Sequence, residues 1–426
     1  MRLLRLSAAL LFAFVILNAP VNNTLSLYAQ SDQNGTGSVS GFVTDESTGE
    51  TLLTANVALA NTRRGATTNN SGYFSISGLE PGQYTLVCSY VGYSRYEKQI
   101  TIEAGEDLRI DIEMRPENQQ LEEVVVESEE QKREARNIGV SSVDTELIKE
   151  VPSVLQEDVF RSVQLLPGVK ASSDFSSGLY IRGGSPDQTL ILLDRTTVYN
   201  PTHFFGFFST FNPDAIKDVQ LYKGGYPAEY GGRLGSVLDI YNKDGNRKEF
   251  EGTASVGLLS SRLTLEGPIE KGSYMLSLRR STLEPALAVL QNQIDNVPDQ
   301  FYFFDVNGKL NYDFNSSNKF HLAFYSGLDN VDFSFGEDAN INLNYGNQTL
   351  SSTWTHLFND KLFSNFTLTG SRYFNYPSIF LAGTPIDESN NIYDFSAKGD
   401  IQYFAGEKHQ IKTGFWGGLL TLKYKT

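Results

Sequence analysis

Residues that could carry out catalysis are scarce in this sequence. Its 426 residues include 4 histidines, the first of which is His203, and 1 cysteine, Cys88. No His and Glu set has the spacing of a zinc site, and no nucleophile, base and acid suggest a catalytic triad. Cys88 lies in an apolar run and is interpreted as a small buried hydrophobic residue rather than a reactive thiol. The sequence therefore predicts no enzyme activity, and it calls for no metal and no cofactor.

Two glycine pairs beside charged residues are the other places where chemistry could occur. Gly183-Gly184 follows Arg182, and Gly231-Gly232 precedes Arg233. Neither pair has the spacing of a Walker loop or of a dinucleotide-binding loop, so phosphate binding is not predicted. Paired glycines permit the positive φ of tight turns. The charged residues beside them are either ordinary surface charges or partners in charged contacts.

The composition favours β-structure and excludes nucleic acid as a partner. The net charge is −15 and the pI is near 4.8, whereas binding to phosphates needs clustered Lys and Arg. The 28 Phe, 22 Tyr and 37 Gly suit strands better than helices. The length suggests two or three domains as a soft expectation.

Residues 1–29 have the pattern of a secretory signal peptide. Arg2 and Arg5 precede an apolar run from Leu6 to Leu17, and Ala29 offers a cleavage point. This run is too short for a helix that crosses a membrane, which needs about 20 apolar residues. We expect the chain to be exported and to enter any membrane as strands.

Residues 36–116 consist of short strand-like runs separated by turn residues, among them Asn69 to Gly72 and Pro81-Gly82. About seven short strands in about 80 residues is typical of a small β-sandwich. With Thr48-Gly49-Glu50 and Gly72-x-Phe74-x-Ile76, the segment resembles the carboxypeptidase regulatory-like domain found ahead of many Bacteroidetes outer-membrane receptors. Without zinc ligands, that resemblance does not imply a peptidase.

Residues 143–245 contain strand, turn and helix motifs in a specific order. Leu179 to Gly184 is an apolar run followed by Arg-Gly-Gly, and Leu190 to Asp194 is an apolar strand that ends in Asp. Short helices are predicted at 157–166 and after the cap residue Asn212. The segment resembles the plug domain of TonB-dependent receptors, although Arg195 stands where the family usually has Gly. The motif residues that the resemblance assigns to the plug are Arg182, Gly183, Gly184, Asp194, Asn200, Lys223, Gly224, Gly225, Glu229, Tyr230, Gly231, Gly232 and Arg233.

The resemblance also gives the charged motif residues a role. A plug must fold inside a wet barrel without sealing it irreversibly. Arg182, Asp194, Glu229 and Arg233 are therefore expected to contact each other or the polar lumen.

The linker at 117–142 is polar except for a short apolar island. The island, Glu122-Glu123-Val124-Val125-Val126, lies between the sandwich and the plug. The resemblance implies a TonB box here, an extended segment that pairs as an added strand with the periplasmic protein TonB. The alternative is one more edge strand of the sandwich.

From residue 249 to residue 426 the sequence alternates with a period of two, as between Phe304 and Tyr312. Polar residues occupy one face, which fits strands with lipid outside and water inside. Connections at 315–318, 359–360 and 405–408 are short, and those at 283–300, 336–345 and 377–390 are long, an asymmetry typical of an outer-membrane barrel. The predicted strands are 249–258, 260–267, 273–282, 302–314, 319–335, 346–358, 361–376, 391–404 and 409–425.

Nine strands are too few for the barrel that the resemblance implies. Barrels of this family use about 22 strands, and an open sheet edge would leave backbone groups unpaired in lipid. We therefore expect 249–426 to be the first strands of an incomplete barrel, in a receptor truncated at its C-terminus.

The expected fold is mainly β: an N-terminal β-sandwich, an α+β plug and a partial antiparallel transmembrane β-barrel. The resemblance implies TonB-dependent import of a substrate across the outer membrane of a Gram-negative cell, with the N-terminal domains in the periplasm or the barrel lumen. The implied partners are TonB, outer-membrane lipid, an unknown imported substrate and a surface lipoprotein, with no nucleic acid. The alternative is a structural or adhesin-type outer-membrane barrel without transport, which would need neither plug nor TonB box.

Overall fold

The structure is a computed structural model that describes residues 35–117, 139–143, 148, 156–171, 178–293, 297–335, 339–381, 383–406 and 409–425. The signal peptide predicted at 1–29 and the TonB box predicted at Glu122 to Val126 lie outside these residues. No helix within the described ranges is both long enough and apolar enough to cross a membrane.

Eight short strands form an N-terminal sandwich of two four-stranded sheets. They are β1 (Gly37–Asp45), β2 (Asn56–Leu59), β3 (Gly65–Thr67), β4 (Tyr73–Leu79), β5 (Gly82–Ser89), β6 (Tyr96–Ile102), β7 (Asp107–Arg109) and β8 (Ile112–Met114). One sheet has the order β4-β1-β7, with β8 also paired to β1, and the other has the order β3-β2-β5-β6. Val39, Val43 and Phe74 point between the sheets and are fully buried, as packing of two sheets around one core requires.

The plug has a five-stranded mixed sheet of its own, with the order β13-β12-β17-β16-β9. Its elements are β9 (Val140–Val143), helix α1 (Val159–Gln164), β10 (Val169–Lys170), β11 (Tyr180–Ile181), β12 (Thr189–Leu193), β13 (Thr196–Thr197), β14 (Thr202–His203), β15 (Phe208–Ser209), β16 (Ile216–Tyr222) and β17 (Ser236–Asn242). All five residues of β12 are buried, because its neighbours pair on both edges and other residues cover both faces. Helix α1 begins after Asp158, whose carboxylate accepts from the backbone N–H groups of Phe160 and Arg161.

The C-terminal part is one antiparallel sheet of ten strands. Its elements are β18 (Glu251–Val256), β19 (Ser260–Ile269), β20 (Gly272–Ser281), helix α2 (Glu284–Leu290), β21 (Gln300–Asn315), β22 (Asn318–Ser334), β23 (Ala339–Asn359), β24 (Leu362–Leu381), β25 (Thr384–Asp387), β26 (Ser389–Gly406) and β27 (His409–Lys425). Consecutive strands pair in register, except that β24 pairs with both β25 and β26. This sheet is the barrel wall.

The two faces of the barrel wall are reversed relative to a soluble protein. Asp305 and Asn307 of β21 are each 1% exposed, whereas Phe304 and Leu310 on the other face are 36% and 37% exposed. The polar face is buried where the plug and the sandwich cover it, and the apolar face is open, whereas β27 is exposed along its whole length. The period of two in the sequence therefore predicted the faces of the wall correctly.

Two of the three connections predicted to be long are mostly strand. Strand β23 begins at Ala339 and β24 continues to Leu381, so most of 336–345 and part of 377–390 belong to paired strands, and 384–387 is the additional strand β25. The third, 283–300, contains α2. The prediction of long loops was wrong, because polar and apolar residues already alternate from Asn340 to Tyr345, and this stretch pairs with β24.

Candidate functional site between plug, wall and sandwich

The plug is attached to the wall by buried charged side chains. The first group, here the Lys309 cluster, comprises Lys309 of β21, Asp194, Asp244 and Lys217. Lys309 Nζ lies 3.1 Å from Asp194 Oδ1 and 3.0 Å from Asp244 Oδ1. Lys217 Nζ lies 2.5 Å from Asp244 Oδ2. Each buried charge thus has an opposite charge within contact distance, which offsets the cost of removing it from water.

Burial alone would raise the pKa of Asp244. Lys217 and Lys309 outweigh burial and hold the pKa of this carboxyl well below its usual range. Asp244 is therefore a carboxylate at neutral pH, and the joint between plug and wall depends on its two lysines.

The turn after β12 contributes a second attachment. Asp194 and Arg195 have φ of 44° and 68°, as a two-residue hairpin turn with positive φ at both positions requires. Arg195 replaces the usual Gly and keeps the turn, and its guanidinium lies 2.8 Å from Asp400 Oδ1 of β26. Burial disfavours the Arg195 cation, but Asp400 outweighs burial and raises the pKa of Arg195. The departure from the family pattern thus adds an ion pair and leaves the tight turn in place.

The third attachment, the His203 cluster, lies toward the far end of the same wall. His203 Nε2 is 2.8 Å from Asp305 Oδ1, and Nδ1 is 2.5 Å from Asp329 Oδ2. Arg279 pairs with Asp305 at 2.6 Å, and Tyr325 donates to Asp305 at 2.7 Å. Burial would lower the pKa of His203, but Asp305 and Asp329 raise it to about 9. The imidazolium therefore persists at neutral pH and can donate from both nitrogens.

The chain that follows His203 is strained. Phe204 and Phe205 have φ of 49° and 53°, which bulky side chains seldom adopt. Phe204 is held by its backbone N–H, which donates to Asp329 at 3.0 Å, and by its ring, 4.2 Å from that of Phe301. Phe205 is 60% exposed. Backbone strain that the surroundings enforce is common at ligand-binding sites, so this loop is a candidate contact for substrate.

Several predicted motif residues face the wall or the plug interior. Glu229 accepts from Lys412 of β27 at 2.6 Å. Asn347 of β23 donates to the carbonyl of Asn200. Tyr230 donates to the buried Asp239 at 2.8 Å, and burial raises the pKa of Asp239 to about 6 despite hydrogen bonds from Tyr241 and Tyr230.

The remaining predicted residues lie at turns of the plug. Arg182 has φ of 50°, and in each glycine pair only one residue has positive φ, Gly183 and Gly232. Gly184 donates its backbone N–H to Ile181, and Gly231 is half-buried. The exposed Arg233 donates to the carbonyl of Gly232 at 3.1 Å.

The linker enters the plug beside a turn that is formed by Lys223, Gly224 and Gly225. The backbone N–H of Lys223 donates to Gly139 at 2.7 Å, and Gly224 and Gly225 both have positive φ. A side chain at Gly224 would meet the guanidinium of Arg182 at 3.4 Å. Burial lowers the pKa of Lys223, and Arg182 lowers it further. This corner is therefore a positively charged turn at the start of the plug sheet.

The partners of the plug on the wall were not predicted from the sequence. Lys309, Asp305 and Asp329 are ordinary members of the polar face, and their sequence positions do not reveal what they contact. One signal was present in the sequence. Asp305 and Lys309 have opposite charges and lie on the same face of β21, the face that is buried. Charges that face a lumen filled with protein need counter-charges.

Comparisons with known proteins agree with this arrangement. Residues 39–126 match the family model of the CarboxypepD_reg-like domain, and residues 133–237 match that of the TonB-dependent receptor plug domain. A TonB-dependent receptor of Formosa agariphila is 30% identical over 232 residues, which is 52% of this chain and 21% of that protein. The TonB-dependent transporter Oar of Myxococcus xanthus is 26% identical over 243 residues, 54% of this chain and 21% of Oar.

Among solved structures, a variant of the ferric enterobactin receptor of Pseudomonas aeruginosa has a TM-score of 0.50 at 16% identity and covers 68% of this chain and 50% of that receptor. The plug and the partial barrel wall thus have the fold of outer-membrane receptors. The chain therefore contains a carboxypeptidase regulatory-like domain and a TonB-dependent receptor plug domain, and it is similar to TonB-dependent receptors. Its match spans 21% of the length of these two curated relatives.

Proposed function

We propose that this receptor imports a substrate across the outer membrane, that the plug gates the path and that TonB supplies the energy. The observation that carries the proposal is a separate plug sheet held on the polar face of a barrel wall by buried ion pairs. A pore that only needed to be sealed could use apolar packing. Charged contacts in a polar lumen can be replaced by water when the plug moves.

The linker gives TonB a direct route to the plug. The proposed TonB box, Glu122 to Val126, is followed after a short tether by β9, the edge strand of the plug sheet. Strand β9 pairs over only four positions, Val140 to Val143, with β16. Force applied to the box would reach this short edge strand first, because β9 is the first plug strand among the residues that the structure describes. We infer that β9 separates before the remainder of the plug moves.

Substrate would enter at the end of the barrel that holds the His203 cluster. Phe205 is exposed there on a strained backbone, and the sandwich occupies the other end. We propose that Phe205 contacts the substrate. The domains proposed are a signal peptide at 1–29, a sandwich at 36–116, a linker with TonB box at 117–142, a plug at 143–245 and barrel strands at 249–426.

The proposal is tested by comparing two deletion strains. Cells lacking this receptor and cells lacking TonB are supplied with a panel of iron chelates, vitamins, oligosaccharides and peptides, and uptake is measured for each. We expect at least one compound whose uptake is lost in both strains, because plug and TonB act in one path. Unchanged uptake of the whole panel in the receptor deletion, together with altered surface adhesion, would favour the structural or adhesin alternative.

A further inference from the structure

One outer face of the sandwich is buried although it lies outside the sandwich core. The face consists of side chains of β1 and β4 that point away from the core: Ser38, Ser40, Phe42, Tyr73, Ser75 and Ser77, here the docking face. Their exposed fractions are at most 5%. The second sheet packs on the opposite side, so the burial of this face must come from other parts of the chain.

The barrel wall covers the docking face. Tyr73 stacks on Phe363 with ring centroids 5.3 Å apart, and its hydroxyl donates to the carbonyl of Asp360 at 2.7 Å. Ser40 donates to the carboxylate of Asp360 at 3.0 Å. Lys319 Nζ lies 3.7 Å from the centre of the Phe42 ring. The contacts on the wall are at the ends of strands, around the turn between β23 and β24.

The turn before β4 extends further, into the lumen itself. Asn70 donates to the hydroxyl of the plug residue Tyr241 at 2.7 Å. Ser71 and Asn69 contact Asn365 and Gln402 at 3.5 Å and 3.2 Å, and both partners are buried members of the polar face of the wall. The turn thus occupies space between plug and wall through which a passing substrate would need to move.

The sandwich is also tied to the joint between plug and wall. Thr51 donates to the carboxylate of Asp244 at 2.8 Å, and the Glu50 carboxylate accepts from the backbone N–H of Gly245 at 3.2 Å. The backbone N–H of Arg247 donates to the carbonyl of Thr48 at 2.7 Å. The sandwich therefore holds Asp244, the same carboxylate that anchors the plug to Lys309.

We propose that the sandwich is a second closure of the transport path, docked under the plug, and that it must leave the docking face for substrate to pass. The inference rests on the proposed function, since it presumes that a substrate crosses the barrel. The linker with the proposed TonB box begins directly after the sandwich and ends at β9. A pull on the linker is therefore transmitted to both closures, to the sandwich at one end and to the plug at the other.

A freely tethered accessory domain is the competing interpretation, and the charges of the interface argue against it. Lys361 lies 3.0 Å from Asp107 across this interface. Together with two stacked aromatics and a row of buried serines, this is a matched surface rather than a casual contact. The partner that fits the docking face is the wall and plug of the same chain.

The test measures access to the docking face in living cells that produce the full-length receptor. Ser40→Cys places a thiol on the docking face, and Thr101→Cys places one on the exposed surface of β6 as a matched control. The native Cys88 can stay, because it is buried in the sandwich core and burial raises the pKa of its thiol to about 12. The probe is a biotin maleimide small enough to pass porins, applied to respiring cells in rich medium, with and without TonB.

We expect S40C to label much more slowly than T101C without TonB, and about fivefold faster with TonB than without it, because a covered thiol reacts only when its domain opens. Tyr73→Ala in the S40C background should label rapidly in both strains, since the core residues of the sandwich are untouched. Equal labelling of S40C and T101C without TonB would overturn docking. If TonB engages the receptor and S40C labels equally slowly with and without TonB, the proposal that TonB releases the sandwich from the docking face is wrong.

TonB engagement is measured separately, in parallel cells, by adding an oxidant that joins Val125→Cys of the receptor to a cysteine introduced into the segment of TonB that pairs with the box. Capture without faster S40C labelling would refute the second closure and leave the proposed import intact. No capture, with S40C equally protected in both strains, would refute energisation through this box and with it the TonB-driven release of the sandwich.

Discussion

Val125→Pro in the full-length receptor is expected to abolish uptake and to leave substrate binding at the cell surface unchanged. Proline lacks the backbone N–H that strand pairing with TonB requires, and its fixed φ disfavours the central position of an added strand. Binding should persist because the substrate meets the plug loop and the wall, which the linker does not contribute to. Uptake and surface binding are measured on the same cells with the same labelled compound.

The matched control is Glu129→Pro, which places proline in the same linker but outside the apolar island. It should support normal uptake, because Glu129 lies outside the residues proposed to pair with TonB. Normal uptake by the Val125→Pro receptor would show that Glu122 to Val126 is not the TonB box. Loss of uptake in both variants would mean that the linker acts as a whole and that no short box is defined.

Lys309→Ala is expected to loosen the attachment of the plug to the wall. It leaves Asp194 and Asp244, both buried, without the cation that lies 3.1 Å and 3.0 Å from them. Removing one partner of a buried ion pair typically costs about 3–5 kcal/mol. Amide hydrogens of β16 and β17 should exchange faster by about two to four orders of magnitude, the factor that such a free energy implies.

Lys412→Ala is the control, since Lys412 also pairs with a plug carboxylate, Glu229. Its side chain is 35% exposed, and exposed pairs contribute about 0–1 kcal/mol. Exchange in β16 and β17 should therefore change little in this variant. Equal exchange in the Lys309→Ala and wild-type receptors would show that the Lys309 cluster does not secure the plug.

The sequence predicted the parts of this molecule whose signals are local. The apolar run at 190–193 forms β12, a buried interior strand of the plug sheet, and Asn212 caps the short helical turn that begins at Pro213. In the wall, alternation over Phe304 to Tyr312 identified which face is polar. Each of these features depends on neighbours within a few residues, so periodicity and turn chemistry suffice.

The contacts that join the three parts could not be predicted in this way. Asp244 and Lys309 are 65 residues apart in sequence, and Ser40 and Asp360 are separated by 320. Nothing in the sequence near either residue specifies its partner. The docking face was also hidden, because Ser40, Ser75 and Ser77 have the pattern of an ordinary solvated face of a sandwich. Their burial depends on how the domains are placed.

The central claim is that the plug must leave its position on the wall for transport, and a reversible cross-link tests it most directly. Asn212 of the plug donates to Ser277 of β20 at 2.7 Å, so the two side chains are in contact, and Asn212→Cys with Ser277→Cys is designed to link plug and wall by a disulfide. We expect the oxidised double variant to bind a substrate found in the deletion screen, to import none of it, and to regain import on reduction. Each single variant, treated with the same oxidant, should import normally. Full import by the oxidised double variant would contradict the account.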